Sequence, residues 1–284
     1  MFRQFLFPLL AVLTLAAAGP EPSKAPNPPK GTLVIVGGGG MPQEILDAFL
    51  AACGGKGGRV GIVPTSTIDP VGALKEWKKD LEKAGLTMVP LDVRKREEAF
   101  APAMLEAAKQ CTGFWFSGGD QNRVGDKIVG TPLQKIILER YAAGAGIGGT
   151  SAGAAIMSPI MLTGDDRNGK ESLTEVGKGA YRTREGMGFL PSHCIVDQHF
   201  LRRNRQNRLF SVMMDHPEGL GLGIDEATAL VVKDGKATVL GLHGVMVFDP
   251  LGMALDTVDG FQSMQIHLLR RGQSLDLTTR KVVK

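Results

Sequence analysis

The first place in this chain where residue type and spacing suggest chemistry is a serine with a glycine two residues away on each side. Gly149-Thr150-Ser151-Ala152-Gly153 follows the apolar run Ala145–Ile147 and precedes the helix-like Ala154–Met157. A GxSxG at a strand-to-helix turn reads as a nucleophile elbow, whose glycines relieve crowding so that the serine sits on a sharp turn with Oγ exposed. The N–H of Ala152, at the start of the next helix, is then placed to stabilise an oxyanion. One such donor typically contributes ~3 kcal/mol in the transition state.

A serine hydroxyl needs a base to become a strong nucleophile. All five histidines, His193, His199, His216, His243 and His267, follow Ser151. Only His199 stands at the end of a strand-like run, in Asp197-Gln198-His199-Phe200. That is the edge of the sheet where Ser151 is expected. An orienting carboxylate comes from Asp225-Glu226, which ends the strand-like Leu220–Ile224, and position alone leaves both acids open. The order serine, acid, histidine of a conventional α/β-hydrolase would instead join His243 to Asp197 or Asp225.

Two more glycine-rich loops follow strand-like runs. Gly37-Gly38-Gly39-Gly40 is followed by Pro42 and fails the GxGxxG spacing of a dinucleotide site, so close backbone packing is its default meaning. In Phe116-Ser117-Gly118-Gly119-Asp120-Gln121 the two glycines free backbone amides to face a cleft, and Gln121 can reach a ligand. Cys53, Cys111 and Cys194 are odd in number and widely spaced, which reads as buried free thiols. No cluster has zinc-like spacing, and the chemistry described requires no metal or organic cofactor.

The elements that must position these residues alternate. Apolar runs at Thr32–Val36, Arg59–Val63, Thr87–Leu91, Gly113–Phe116, Ala145–Ile147 and Cys194–Val196 are separated by amphipathic stretches such as Gln43–Ala52, Val71–Ala84 and Leu133–Ala142. Continuous apolarity implies strands buried on both faces. The expected fold is α/β, a doubly wound, mainly parallel sheet with helices on both faces. Ala229–Val232 and Ala237–Leu240, joined by Lys233-Asp234-Gly235-Lys236, read as a hairpin within a small antiparallel C-terminal extension. Ligands of such sheets collect at the carboxyl ends of the strands, where all three glycine loops lie.

A chain of 284 residues with 43% hydrophobic and 22% charged content can bury one sizeable core. Residues 31–284 are expected to form a single catalytic domain. The formal charge of +4 comes from 33 basic and 29 acidic residues without long basic runs, which gives no case for nucleic acid. Residues 1–18 have the layout of a secretory signal peptide: Arg3, an apolar run from Phe5 to Leu15, then three alanines. The run is too short for the roughly 20 residues of a membrane span, so no stable anchor is expected after cleavage. Residues 19–30, with five prolines, read as an extended tether, and the mature chain is expected in the periplasm or outside the cell.

With these residues in view, the chain resembles the cyanophycinases, in the serine-peptidase family that also holds aspartyl dipeptidase, on a fold similar to class I glutamine amidotransferases. The resemblance is carried by Gly118-Gly119-Asp120-Gln121, Gly149-Thr150-Ser151-Ala152-Gly153-Ala154, Asp197-Gln198-His199-Phe200-Leu201 and Gly223-Ile224-Asp225-Glu226, over about residues 31 to 250. It implies Ser151, His199 and Glu226 as the catalytic triad, favouring Glu226 over Asp225, with Gly119 supplying a second oxyanion donor beside Ala152. It also implies Gln121, Asp197, Gln198, Arg203, Arg205 and Arg208 as substrate-binding residues. The implied substrate is cyanophycin, a polyaspartate with arginine on each β-carboxyl, cut to β-Asp-Arg dipeptides by a homodimer. Arginine forks suit its carboxylates, and Asp197 suits its guanidinium. The match is looser over Thr163–Leu190, a candidate lid or specificity loop. An aspartyl or isoaspartyl dipeptidase would share the triad without needing three arginines. A non-catalytic binding protein would have lost a triad member.

Overall fold

A computed structural model describes residues 29–168, 175–255 and 260–283. The expected leader at 1–18 and the tether up to residue 28 lie outside the described residues. The elements in chain order are β1 (Thr32–Val36), α1 (Gln43–Ala52), β2 (Arg59–Val63), α2 (Pro70–Lys83), β3 (Thr87–Pro90), α3 (Pro102–Lys109), β4 (Gly113–Phe116), α4 (Asn122–Lys127) and α5 (Pro132–Ala143). There follow β5 (Gly146–Thr150), α6 (Ala152–Ala155), β6 (Ile160–Asp166), β7 (Tyr181–Glu185), β8 (Cys194–Gln198), α7 (Gln206–Asp215) and β9 (Leu220–Ile224). The C-terminal part is strands only: β10 (Thr228–Lys233), β11 (Lys236–Gly241), β12 (Gly244–Asp249), β13 (Ala254–Leu255), β14 (Phe261–Gln262), β15 (Gln265–Arg270), β16 (Ser274–Asp276) and β17 (Val282–Val283).

The apolar runs form a nine-stranded sheet ordered β17-β16-β11-β10-β1-β5-β4-β2-β3, in which β1, β5, β4, β2 and β3 are parallel. Alternate residues of a strand face opposite sides, and both sides are covered. Leu33 and Ile35 join a core with Ala108 of α3 and Leu133 and Ile137 of α5. Val34 and Val36 meet Ile45 and Phe49 of α1 and Trp77 and Leu81 of α2. This is the expected α/β arrangement. Local signals start the helices: Asp69 Oδ1 accepts from Gly72 N at 2.8 Å ahead of Pro70, and Thr131 caps α5 ahead of Pro132. In the β10–β11 hairpin, Asp234 and Gly235 have φ of 49° and 77°, the left-handed pair that a tight two-residue turn needs.

Two expectations need correction. The strands do not all share one sheet, because β8 and β9, parallel to each other, belong to a second sheet ordered β15-β12-β9-β8. Both edges of β1 are occupied, by β5 and by antiparallel β10, so the later parallel pair has no place beside it. The antiparallel extension is also larger than expected. It adds β10, β11, β16 and β17 to the first sheet and β12 and β15 to the second. α7 covers the second sheet through Leu209, Val212 and Met213, against Ile195, Phe200 and Phe248. β6, which runs into the 163–190 segment, and β7, which lies within it, form a separate two-stranded sheet.

Candidate active site

Strand β5 runs to Thr150, beyond the expected end at Ile147, so Ser151 follows it without an intervening loop. α6 starts at once, at Ala152 rather than the expected Ala154. Ser151 has φ 54° and ψ −113°, a backbone conformation that costs about 1–3 kcal/mol for a residue with a side chain. Its N–H donates to Val36 O at 3.0 Å, and its carbonyl accepts from Ala154 and Ala155 at 2.9 and 3.0 Å. The flanking glycines are sterically required. A Cβ at Gly153 would lie 2.1 Å from Phe116 O, and one at Gly149 would lie 2.4 Å from Gly153 O.

His199 arrives from the second sheet, one residue past β8, and Glu226 lies two residues past β9. The ring bridges the sheets: Nε2 is 2.8 Å from Ser151 Oγ, and Nδ1 is 2.6 Å from Glu226 Oε1. With Nδ1–H donating to the carboxylate, Nε2 accepts the serine proton. Burial holds the imidazole pKa below its usual value, and the positive charges of Arg203 and Arg205 act in the same direction, against the hydrogen bond that Nδ1–H donates to Glu226. Both effects favour neutral His199, the form a general base needs. The His199 hydrogen bond in turn keeps the Glu226 carboxyl below the usual carboxylate range.

The Gly37–Gly40 loop, expected only to pack closely, forms the back of this site. Gly37 O accepts from His199 N at 2.6 Å, and Gly38 O accepts from Ala227 N at 2.9 Å. A Cβ at Gly38, where φ is 109°, would stand 2.3 Å from His199 Cε1; one at Gly39 would stand 2.9 Å from Glu226 Oε2. The run of four glycines was the sequence signal, and its meaning depended on the second sheet.

The other acids and histidines are engaged elsewhere. Asp225 is buried and accepts from Arg202 N at 2.9 Å. Asp197, expected to meet a guanidinium, meets that of Arg208 within the chain. Both side chains are 1% exposed, with Arg208 Nε 3.1 Å from Asp197 Oδ2 and a second contact from Nη2 to Oδ1. His193 Nε2 lies 2.9 Å from Leu277 O, and His216 Nδ1 lies 3.7 Å from Glu218. At His243 the backbone N donates to Thr228 Oγ1. Neither carboxylate of the α/β-hydrolase ordering is left to orient His243.

In front of Ser151 lies a cleft of about 210 Å³ lined by Gly119, Asp120, Gln121, Gln198 and the three arginines, with Thr163, Gly164 and Asp165. The arginines are not a solvated helix face. Arg203 is exposed, but Arg205 and Arg208 are buried, and α7 begins after Arg205. Arg205 Nη1 donates to Gln198 O and Oε1 at 2.9 and 3.0 Å, while Ser151 Oγ lies 3.5 Å from the same Oε1. Gln121 Nε2 donates to Leu162 O and Thr163 O at 3.0 and 2.7 Å, which ties β6 to the cleft. Gly119 has φ 135°, and a Cβ there would stand 2.2 Å from Ser66 O. Among the described residues, neither Gly119 N–H nor Ala152 N–H is committed to a turn or loop hydrogen bond.

All three cysteines are buried free thiols, and burial raises the Cys111 and Cys194 pKa values to about 11 and about 12. Among the described residues there is no cluster of three or more His, Cys, Asp or Glu able to hold a metal ion, and no helix long and apolar enough to cross a membrane.

Residues 33–240 match the model of Peptidase family S51. The chain belongs to that family. It is a serine-type peptidase, and Ser151, His199 and Glu226 all fall within the matched region. Similar proteins include the cyanophycinase of Trichormus variabilis, 30% identical over 99% of this chain and 95% of the relative. The cyanophycinase of Synechococcus elongatus is 32% identical over 89% of this chain and 81% of its own length. The crystal structure of a peptidase from an acI-B1 Actinobacterium shares the fold of this S51 peptidase. Its TM-score is 0.64 at 23% identity, over 87% of this chain and 96% of that one.

Proposed function

We propose that this S51 peptidase hydrolyses cyanophycin to β-Asp-Arg dipeptides through a Ser151–His199–Glu226 triad. One observation carries the reading: the hydrogen-bonded chain from Glu226 through His199 to Ser151 opens onto a cleft walled by Arg203, Arg205 and Arg208. Its relatives named cyanophycinase, similar over nearly the whole chain, support the choice of polymer.

Ser151 Oγ attacks a backbone carbonyl of a β-linked aspartyl unit while His199 Nε2 takes its proton, and Glu226 stabilises the imidazolium that forms. The N–H groups of Ala152 and Gly119 receive the oxyanion. As the tetrahedral intermediate collapses, His199 passes the proton to the leaving amine, and a water then releases the acyl group by the same route. The cationic wall favours the free carboxylates of the substrate, with Arg203 the exposed arm and Arg205 and Arg208 shaping the cleft behind it. Export by the leader at 1–18 would place this activity in the periplasm or outside the cell, and the working form is a homodimer.

Incubating the purified protein with cyanophycin and identifying the products by mass spectrometry tests the reading, with Ser151→Ala as the control. Release of β-Asp-Arg by the parent alone is the expected result. Turnover of free Asp-Xaa dipeptides with the polymer left intact would favour an aspartyl dipeptidase. Activity retained in Ser151→Ala would remove the serine from its role.

A further inference from the structure

The arginine-lined cleft has a neighbour of opposite charge on the other side of the elbow. Gly118 and Thr150 border it, each one residue before Gly119 and Ser151, which border the arginine side. Two adjoining hollows there, of about 310 and 210 Å³, share Glu76, Trp77, Trp115 and Thr150. Glu76 and Asp80 stand one turn apart on the same face of α2, and Asp69 caps that helix at the mouth. Among the described residues, neither Glu76 nor Asp80 has an ion-pair partner.

The floor supplies an independent observation. Ser117 continues the alternation of β4 onto the face that carries Trp115, and both line the hollow. Ser117 is 6% exposed, and its Oγ has no hydrogen-bond partner among the described residues. A buried hydroxyl without a partner is costly, and a ligand that hydrogen-bonds to it relieves that cost. Two uncommitted carboxylates, a waiting hydroxyl and an indole floor together suit a guanidinium. Its planar fork pairs bidentately with a carboxylate, and its flat face packs on aromatic rings. On the arginine side three cations line the cleft together with Asp120 and Asp165, and on this side every charged lining residue is an anion.

We infer that this hollow is a second substrate subsite, which takes the guanidinium side chain of a neighbouring unit of the polymer. The inference rests on the proposed action on an arginine-bearing chain. It gives the site a polarity: carboxylates are held on one side of Ser151 and a guanidinium on the other.

The chain's two tryptophans, Trp77 and Trp115, both lie on this floor, so indole fluorescence reads the subsite directly. Ser151→Ala protein is titrated with N-acetylarginine amide and with the citrulline amide, which is nearly isosteric but uncharged. The expected result is a saturable change with the arginine probe, with citrulline at least about tenfold weaker, as loss of a charge-assisted contact implies. Glu76→Gln/Asp80→Asn should weaken arginine binding by a similar factor, and Ser117→Ala by a few-fold. Equal response to the two probes overturns the subsite, as does undiminished binding in a folded double variant. Should the double variant misfold, Glu76→Gln alone, at an exposed position, decides by the same criterion. The titration needs no turnover. Arginine-specific binding by a chain that releases nothing from cyanophycin would sink the polymer reading and leave the subsite standing.

Discussion

Replacing Arg208 by alanine separates two roles for the most buried arginine of the cleft. Its guanidinium and the Asp197 carboxylate are both 1% exposed, and Asp197 Oδ1 also accepts from Gln198 N at 2.8 Å. Removing one partner of such a pair leaves a charge buried without compensation, which costs about 3–5 kcal/mol. At roughly 2–4 °C per kcal/mol for a chain of this size, the melting temperature should fall by about 10 °C. Asp197→Asn combined with Arg208→Met removes both charges and should recover most of the loss. The same substitution at exposed Arg203 should shift stability by no more than about 0.5 kcal/mol. Its effect should appear instead as a ten- to hundred-fold fall in kcat/KM for cyanophycin, on the scale of one charge-assisted contact at about 1.5–3 kcal/mol. Urea unfolding and steady-state kinetics on the same preparations supply both numbers. Arg208→Ala with wild-type stability and a hundred-fold loss of kcat/KM would refute the reasoning, because Arg208 would then be a substrate-holding arm and not a strut.

Three further outcomes follow from the triad's surroundings. Glu226→Gln should lower kcat by several orders of magnitude and Asp225→Asn far less, since the Asp225 side chain is spent on Arg202 N; the reverse ranking would reassign the acid. The acid limb of kcat/KM against pH should lie below the usual histidine value, because burial and the charges of Arg203 and Arg205 disfavour imidazolium. Activity is then present above the His199 pKa and lost as pH falls through it, and Arg203→Gln should move that limb upward; a limb that stays put excludes the charge effect. Gly38→Ala should slow acylation of Ser151 by a fluorophosphonate probe at least a hundred-fold, because its Cβ would displace the imidazole. Gly40→Ala, with nothing within 4 Å of the added Cβ, should leave that rate unchanged.

Much of this was legible in the sequence because it is local. The runs at Thr32–Val36, Arg59–Val63 and Gly113–Phe116 are strands over those residues, and the Asp234-Gly235 turn is where its chemistry requires. GxSxG announces a backbone problem that glycine solves, and it does so within five residues. The partition into two sheets was not legible, since apolar periodicity tells that a strand is buried and not which neighbour it pairs with. What the buried arginines rest against was not legible for the same reason: only the fold brings Gln198 and Asp197 of β8 against Arg205 and Arg208. Ser117, Glu76 and Asp80 gave no signal at all. Their interest comes from sharing a hollow with Thr150, across a sequence separation that no motif spans.

The two-sheet arrangement raises a mechanical question, because the nucleophile belongs to one sheet and its base and acid to the other. Hydrogen-bond lengths of 2.8 and 2.6 Å across such a junction need something that registers the sheets against each other. Three non-glycine residues around the triad hold positive φ: Ser151 at 54°, His199 at 49° and Ala227 at 48°. Each would relax toward an ordinary conformation unless its surroundings forbade it. Each donates its N–H to the same stretch at the end of β1: Ser151 to Val36 O, His199 to Gly37 O and Ala227 to Gly38 O. Three consecutive carbonyls therefore fix the three strained turns that carry nucleophile, base and acid. Gly37 has no room for a Cβ because the Ile224 and Asp225 carbonyls stand there, and at Gly38 and Gly39 the imidazole and the carboxylate occupy the space where side chains would be. A loop that contributes no reacting atom is in this way the part on which the spacing of all three depends.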